Sequence, residues 1–422
     1  MLPFLRSPDR AVPDPPIPPE PPPARVVEPA DELGPLRRRA RGCLLGGALG
    51  DALGAAVEFL TLASIRSTYG PRGIEKLETA YGRVGAITDD TQMTLFTAEG
   101  LIRASVRGKL RGICHPPAVV HHAYRRWLHT QRAADAMSTR RTPPRKRAVK
   151  RPAPESEPVL DGWLVSQPVL HRRRAPGSTC LAALEAPLGE KLRAANLSKG
   201  CGGVMRMAPV GLLRSANGGP VGESSREGLF ALGVELAALT HGHPSGQLPA
   251  GVLAATLHGI VHEGEPLPLA LDHATLVLMR QPHHDETFRA LMAARELASG
   301  GHPSPEKVES LGAGWVAEEA LAIAVYAALA QPRDLRAALL LAANHSGDSD
   351  STAAICGNLL GAALGEEALP ADWLADLEAR ELITELADDL AFEILDRSPV
   401  ESAESGRRSA AGDAWQLKYP GW

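Results

Sequence analysis

"RARGCLLGGALGDALGAAVEF" occupies residues 39–59, and its reading decides what kind of fold this chain adopts. Gly42, Gly46, Gly50 and Gly54 recur every fourth residue among leucines and alanines. That spacing places them along one side of a helix. A glycine inside a helix costs about 1 kcal/mol relative to alanine, so four in a row need a compensating gain. A face without Cβ atoms supplies one, because another backbone can approach it closely. The stretch therefore predicts a helix built for tight packing. Asp51 and Glu58 lie seven residues apart and are expected on one side of that helix, pointing to a site at its end. The alternatives for Asp51 are a charge facing water or a buried structural carboxylate.

The same helical spacing runs through much of the chain. "EGLFALGVELAALTHG" (227–242), "AEEALAIAVYAALAQ" (317–331), "RDLRAALLLAANHS" (333–346) and "DWLADLEARELITELADDLA" (372–391) carry apolar residues three and four apart. Alternation of β-branched residues is scarce. The expectation is all-α: one compact multi-helix domain over residues 36–396. Residues 1–35 are proline-dense and read as a disordered arm. "RRTPPRKRAVKRPAPESEP" falls in a basic stretch, residues 133–158, that reads as a disordered insertion. Residues 397–422 form a polar tail that ends in aromatics able to pack on the body.

Composition narrows the function classes. With 422 residues and 44% hydrophobic, the chain can bury a large core. A formal net charge of −4 gives no reason to expect nucleic acid as the main ligand. No window is long and apolar enough to span a bilayer, and no secretory leader is evident. Five scattered cysteines without a CxxC pair argue against a disulfide framework or a structural zinc site. A cytoplasmic location is expected.

Two acidic clusters carry the chemistry. "ITDDTQMTLF" (87–96) sets Asp89 and Asp90 between Thr88 and Thr91 at a helix entry. Asp89 as N-cap with Gln92 three residues on would form a capping box, which accounts for one acid and tolerates the other. "HSGDSDSTAAICGNLLGAALG" (345–365) repeats the arrangement with Asp348, Asp350, Ser351 and Thr352. Neither cluster has histidine or cysteine at metal-ligand spacing. An all-oxygen set suits Mg²⁺, Mn²⁺ or Ca²⁺ rather than zinc. If the clusters meet, their mutual repulsion calls for cations, two ions more naturally than one. Spacing alone leaves this reading level with that of two well-capped helices. Three further stretches are weaker: the glycine-rich "SKGCGGVMRMAPVG" (198–211), "THGHPSG" (240–246) with His241 and His243, and "GAGWVAEEA" (312–320) with Trp315.

Taken in order, "GDALGAAVEF", "TDDTQMT", "GCGGVMRMAPVG", "THGHPSG", "GAGWVAEEALA" and "HSGDSDSTAAICGNLLGA" resemble the ADP-ribosylglycohydrolase family, the family of the dinitrogenase reductase-activating glycohydrolase. The resemblance covers residues 41–364 and leaves out the proline arm and the basic insertion. It implies a compact all-α fold around a binuclear centre of two Mg²⁺, or Mn²⁺ in some members. It implies Thr88, Asp89, Asp90, Asp348, Asp350 and Ser351 as metal ligands, with Ser351 standing where the family often has threonine. It places Glu58, Asp89 and Asp348 as candidates for proton transfer. Gly200, Cys201, Gly202, Gly203, Val204, Met205, Arg206, His241 and Trp315 match positions that contact ADP-ribose. The implied reaction is hydrolysis of the glycosidic bond between ADP-ribose and an acceptor, on a modified protein or a small conjugate, by a metal-activated water. Two alternatives stand beside it. One is a silent ADP-ribose-binding or crystallin-like protein. The other is a different two-metal hydrolase acting on phosphoesters or nucleoside conjugates.

Overall fold

The computed structural model describes residues 30–139, 159–215, 223–400 and 409–421. Most of the proline arm and of the basic insertion lies outside the described residues. Within them the fold is all-α: seventeen α-helices and a single two-stranded antiparallel ribbon, Thr79–Ala80 with Arg83–Val84.

The glycine helix, Ala30–Gly54, starts within the stretch read as an arm, with Pro35 near its beginning. It lies antiparallel against the second acid helix, Ser349–Leu364. Their backbones meet along the predicted stripe. A Cβ on Gly46 would fall 2.5 Å from the Gly357 carbonyl oxygen, and one on Gly42 would strike that of Gly361. The second helix returns the pattern, since Cβ atoms on Gly357 and Gly361 would strike the Gly46 and Gly42 carbonyls. Glycine thus faces glycine, and the two axes approach as closely as backbones allow. Because the helices run in opposite directions, the end of the first comes to the start of the second, with Gly54 against Ser349 and Asp350.

The remaining helices build outward from this pair. Arg380–Ile394 covers the glycine helix, while Ala317–Ala330 and Leu335–Ala343 cover Ser349–Leu364. The first acid helix, Asp89–Arg111, packs on Pro116–Thr139 and on Arg380–Ile394. Leu248–His262 sits between Glu223–Ala238 and Leu267–Leu278. Ala317–Ala330 carries Glu318 and Glu319 in its first turn and is apolar and buried from Ala320 to Ala328, as a helix apolar on every side must be. The terminal helix Ala410–Lys418 returns to the body, where Tyr419 is fully buried and donates to Asp389 (2.6 Å).

The stretch 372–391 has helical spacing throughout, yet it breaks into Ala371–Asp376 and Arg380–Ile394. Ala379 takes a left-handed conformation at the break (φ 59°), with no Gly or Pro to announce it. Tertiary bonds explain it: Glu378 N–H donates to the Gly85 carbonyl (2.9 Å), and the buried Glu378 carboxylate accepts from Ile87 N (3.2 Å) and pairs with Arg174. The break fixes the chain one residue before Thr88.

Candidate active site

The first acid cluster is organised by a residue that lies elsewhere in sequence. Asp51 is fully buried on the glycine helix. Its Oδ1 accepts from Thr88 Oγ1 (2.8 Å), and its Oδ2 accepts from Thr88 N (2.9 Å) and Thr91 N (3.1 Å) and from the Thr91 hydroxyl. Asp51 is therefore a structural carboxylate, not a charge facing water. These bonds offset part of its burial, yet desolvation and the nearby Asp350 still push its carboxyl up to about 7.

The cap falls one residue earlier than the capping-box pattern predicts. Thr88 is the N-cap, and its hydroxyl accepts from Asp90 N (3.3 Å). Gln92 does not reach back to the cap. Its Oε1 accepts from Trp127 Nε1 (3.1 Å) and Gln131 Nε2 (2.8 Å), and its Nε2 donates to the Arg172 carbonyl. The buried amide found better partners in tertiary contacts than at the helix start. Asp89 and Asp90 are thus both left over from capping. Asp89 accepts from Gly177 N (3.2 Å), whereas Asp90 Oδ1 is buried with no hydrogen-bond partner.

At the second cluster Asp348 is the N-cap, but its side chain makes no capping bond. It accepts instead from Cys201 Sγ at 2.7 Å. Asp348 N donates to the Ala313 carbonyl (2.8 Å), against which Gly347 turns with φ 143°, and a Cβ there would collide with that oxygen.

The two clusters meet. Thr88 Oγ1 lies 3.4 Å from Asp350 Oδ2, across 262 residues of chain. One oxygen each from Glu58, Asp348 and Asp350 fall within 4.8 Å of one another. Glu58 does not reach this place by helical spacing from Asp51. The helix stops at Gly54, and residues 55–59 form a turn closed by Glu58 N to Gly54 O (2.8 Å), with Phe59 left-handed at φ 68°. Glu58 Oε2 also lacks a partner. Burial first, then the charges of Asp350, Asp348 and Asp89, push Glu58 up to about 11. Asp89, Asp90 and Asp348 are likewise held well above the ordinary carboxylate range by burial and by Asp350. Crowded, desolvated acids with orphaned oxygens are the arrangement that hard cations relieve.

The weaker sequence stretches border the same place. Cys201 N donates to the Trp315 carbonyl (3.1 Å) and Ala317 N to the Lys199 carbonyl (2.8 Å), tying the glycine-rich turn to the Trp315 segment. His241 packs against Gly200, Gly202 and Gly203 and shares a hydrogen bond with Thr240 Oγ1 at 2.8 Å. Burial drives its imidazole down to about 3, so it is neutral. Val204 and Arg206 direct their side chains into the core. The Arg206 guanidinium donates to Thr240 Oγ1 (2.7 Å) and lies 4.3 Å from the Tyr124 ring centre. His243 caps the turn Pro244–Gly246. Trp315 stacks on Phe59 with centroids 5.4 Å apart, and both rings are partly open to solvent. Sequence reasoning did not single out Phe59, Arg174, Gly177 or Glu378. Phe59 alone had a signal, its place beside Glu58.

An all-α body that gathers acids and hydroxyls from two helix entries beside a glycine-rich turn has the build of an enzyme with an oxygen-lined site. The ADP-ribosylglycohydrolase family profile matches residues 33–399, and the chain belongs to that family of hydrolases acting on ADP-ribose glycosyl bonds. It is 27% identical over 358 residues to the ADP-ribosyl-[dinitrogen reductase] glycohydrolase of Rhodospirillum rubrum, covering 81% of this chain and 91% of that one. It is 25% identical over 373 residues to the ADP-ribosylarginine hydrolase Tri1 of Pseudomonas putida (strain GB-1), covering 86% and 79%. A solved structure of an ADP-ribosylglycohydrolase-related protein complex shares the fold, with a TM-score of 0.54 at 24% identity over 86% of this chain and 99% of that one. Among the described residues no helix is long and apolar enough to cross a membrane.

Proposed function

We propose that this chain hydrolyses the bond between ADP-ribose and an acceptor side chain at a site where Thr88, Asp89, Asp90, Asp348, Asp350 and Ser351 hold two divalent cations, Mg²⁺ or Mn²⁺. The observation that carries the reading is the buried, partnerless Asp90 Oδ1 beside a cluster joined by the Thr88–Asp350 contact. Thr88 already supplies the cap, so capping gives Asp90 no task. Bound there, the cations would supply charge neutralisation, Lewis acidity toward the ribose diol and a nucleophilic water at neutral pH.

The chain's own groups do the rest. Asp89 is tethered to Gly177 N and Asp348 to Cys201 Sγ, whereas Glu58 Oε2 is untethered. Glu58 is the group best placed to move a proton between water and the leaving atom. The transition state has the oxocarbenium character of glycoside cleavage, which surrounding carboxylates stabilise. Trp315 and Phe59 offer a flat apolar wall beside Glu58, and the glycine-rich turn brings backbone close to the ligand. The names of the relatives point to ADP-ribosylated protein, arginine-linked in one case, as the substrate class.

The test uses ADP-ribosylated arginine and serine peptides with Mg²⁺ and with EDTA. Release of free ADP-ribose only with the cation is expected. Release that persists in EDTA overturns the metal reading, and tight ADP-ribose binding without release replaces the enzyme with a binder.

A further inference from the structure

Cys201 is the part of this site that an oxygen-only donor set leaves unexplained. Its Sγ donates to Asp348 Oδ2 at 2.7 Å and accepts from Ser351 Oγ at 3.7 Å. Met205 Sδ, from the same turn, lies 3.8 Å from Ser351 Oγ. Two sulfurs thus flank one carboxylate and one hydroxyl that were expected to face a hard cation. Asp90 Oδ1, buried and without a partner, belongs to the first cluster, which meets the second where Thr88 Oγ1 touches Asp350 Oδ2. Cys201, like Cys114, is partly open to solvent, whereas Cys43, Cys180 and Cys356 are buried.

Hard ions such as Mg²⁺ ignore thiolate and thioether, whereas Zn²⁺, Cd²⁺ and Co²⁺ take them readily alongside carboxylate. We propose that the Asp348 side of the site is also a binding position for a thiophilic divalent ion, held by Cys201 Sγ, Asp348 and Ser351 with Met205 Sδ alongside, so that ions of the zinc class compete there with hard ions. When such an ion binds, the thiol proton leaves to solvent and the sulfur lone pair goes to the ion. Asp348 Oδ2 then gives up its hydrogen bond from sulfur and turns to the same ion. The inference rests on reading the acid cluster as a cation site, and it makes that site sensitive to which divalent ion is present.

The experiment is a Co²⁺ titration of the full, metal-stripped chain, followed by near-ultraviolet absorption, with Mg²⁺-dependent thermal shift measured in parallel. Wild type, Cys201→Ser, Cys201→Ala and Met205→Leu are compared. The expected result is a thiolate-to-cobalt charge-transfer band at about one equivalent in wild type, absent in both Cys201 variants. Zn²⁺ added to the cobalt-loaded wild type should abolish the band. The Mg²⁺ shift should survive in the variants, which also shows that they are folded. A wild-type protein that shows the Mg²⁺ shift but no charge-transfer band overturns this inference and leaves the hard-ion reading standing. A band that persists in both Cys201 variants overturns it too, since another cysteine is then the ligand. If wild type responds to neither Mg²⁺ nor Co²⁺, the cation site itself is refuted and this position falls with it.

Discussion

Asp90 shows most directly what the site costs the folded chain. A carboxylate oxygen is buried beside like charges without a hydrogen bond, an arrangement that opposes folding unless something else compensates. Asp90→Asn should therefore raise Tm in EDTA at pH 8 and shrink the stabilisation that Mg²⁺ provides, as read by thermal melts with and without the ion. Asp350 sits where the clusters join, in contact with Thr88 and within the Glu58–Asp348 group. Asp350→Asn should lower kcat/KM by on the order of a hundredfold or more, the scale of removing one electrostatic group from a catalytic site, while circular dichroism keeps its helical signal. Near-normal turnover in that variant would remove Asp350 from the ligand set. Asp51 acts differently. It holds Thr88 and Thr91 through four donors and positions the acids without belonging to them. Asp51→Ala strands those donors in the interior, and its defect should appear in stability and cation affinity together.

At the scale of elements, the pairing of Ala30–Gly54 with Ser349–Leu364 is what aligns the site. Each glycine contact sets the register of the antiparallel pair, and that register places Gly54 against Asp350. Alanine is the better helix former by about 1 kcal/mol, so on propensity alone Gly46→Ala would stabilise. The structure predicts the reverse. The added Cβ meets a backbone carbonyl at 2.5 Å, which no rotamer change can relieve. Overpacking of this kind costs about 1–3 kcal/mol, so denaturant melts should show net destabilisation. The Mg²⁺ shift should weaken as well, because spreading the helices separates Glu58 from Asp348 and Asp350. A Gly46→Ala variant as stable as wild type would show that the stripe does not govern the packing. The break at Glu378 works at the same scale, since it anchors Ile87 and aims the following helix entry.

Over the whole molecule, the buried acids link stability to pH and to cations. Without ions, Glu58 is raised to about 11, and Asp89, Asp90 and Asp348 lie well above their usual range. A folded pKa above the unfolded one means that the native state binds more protons between the two values. The stabilising contribution of these groups is present below the unfolded carboxylate range, about pH 4, and is lost as pH rises through the folded values. Buried histidines work in the other direction: His121, His262 and His345 are lowered to about 4 and His241 to about 3, and they destabilise as pH falls below about 6.5. Their effect is common to samples with and without cations. The difference Tm(Mg²⁺) minus Tm(EDTA) isolates the acids and should grow from pH 5 to pH 8. A difference that stays flat across that range would show that the cluster does not hold the ions.

Sequence by itself determined the helical class, the glycine stripe and the requirement that a backbone pack against it. It also determined the residues of both acid clusters and, through their order, the family. These are local properties, written in side-chain type and in spacing along one helix. Only the tertiary structure decided that the partner of the stripe is Ser349–Leu364, that Thr88 and Asp350 touch, that Asp51 is structural, and that Thr88 rather than Asp89 caps its helix. It alone decided that the chain breaks at Glu378 and that Cys201 and Met205 reach the acids. The physical reason is that these contacts join residues up to about three hundred positions apart, and which of them form is settled by how all the helices pack at once, a sum that no single stretch contains.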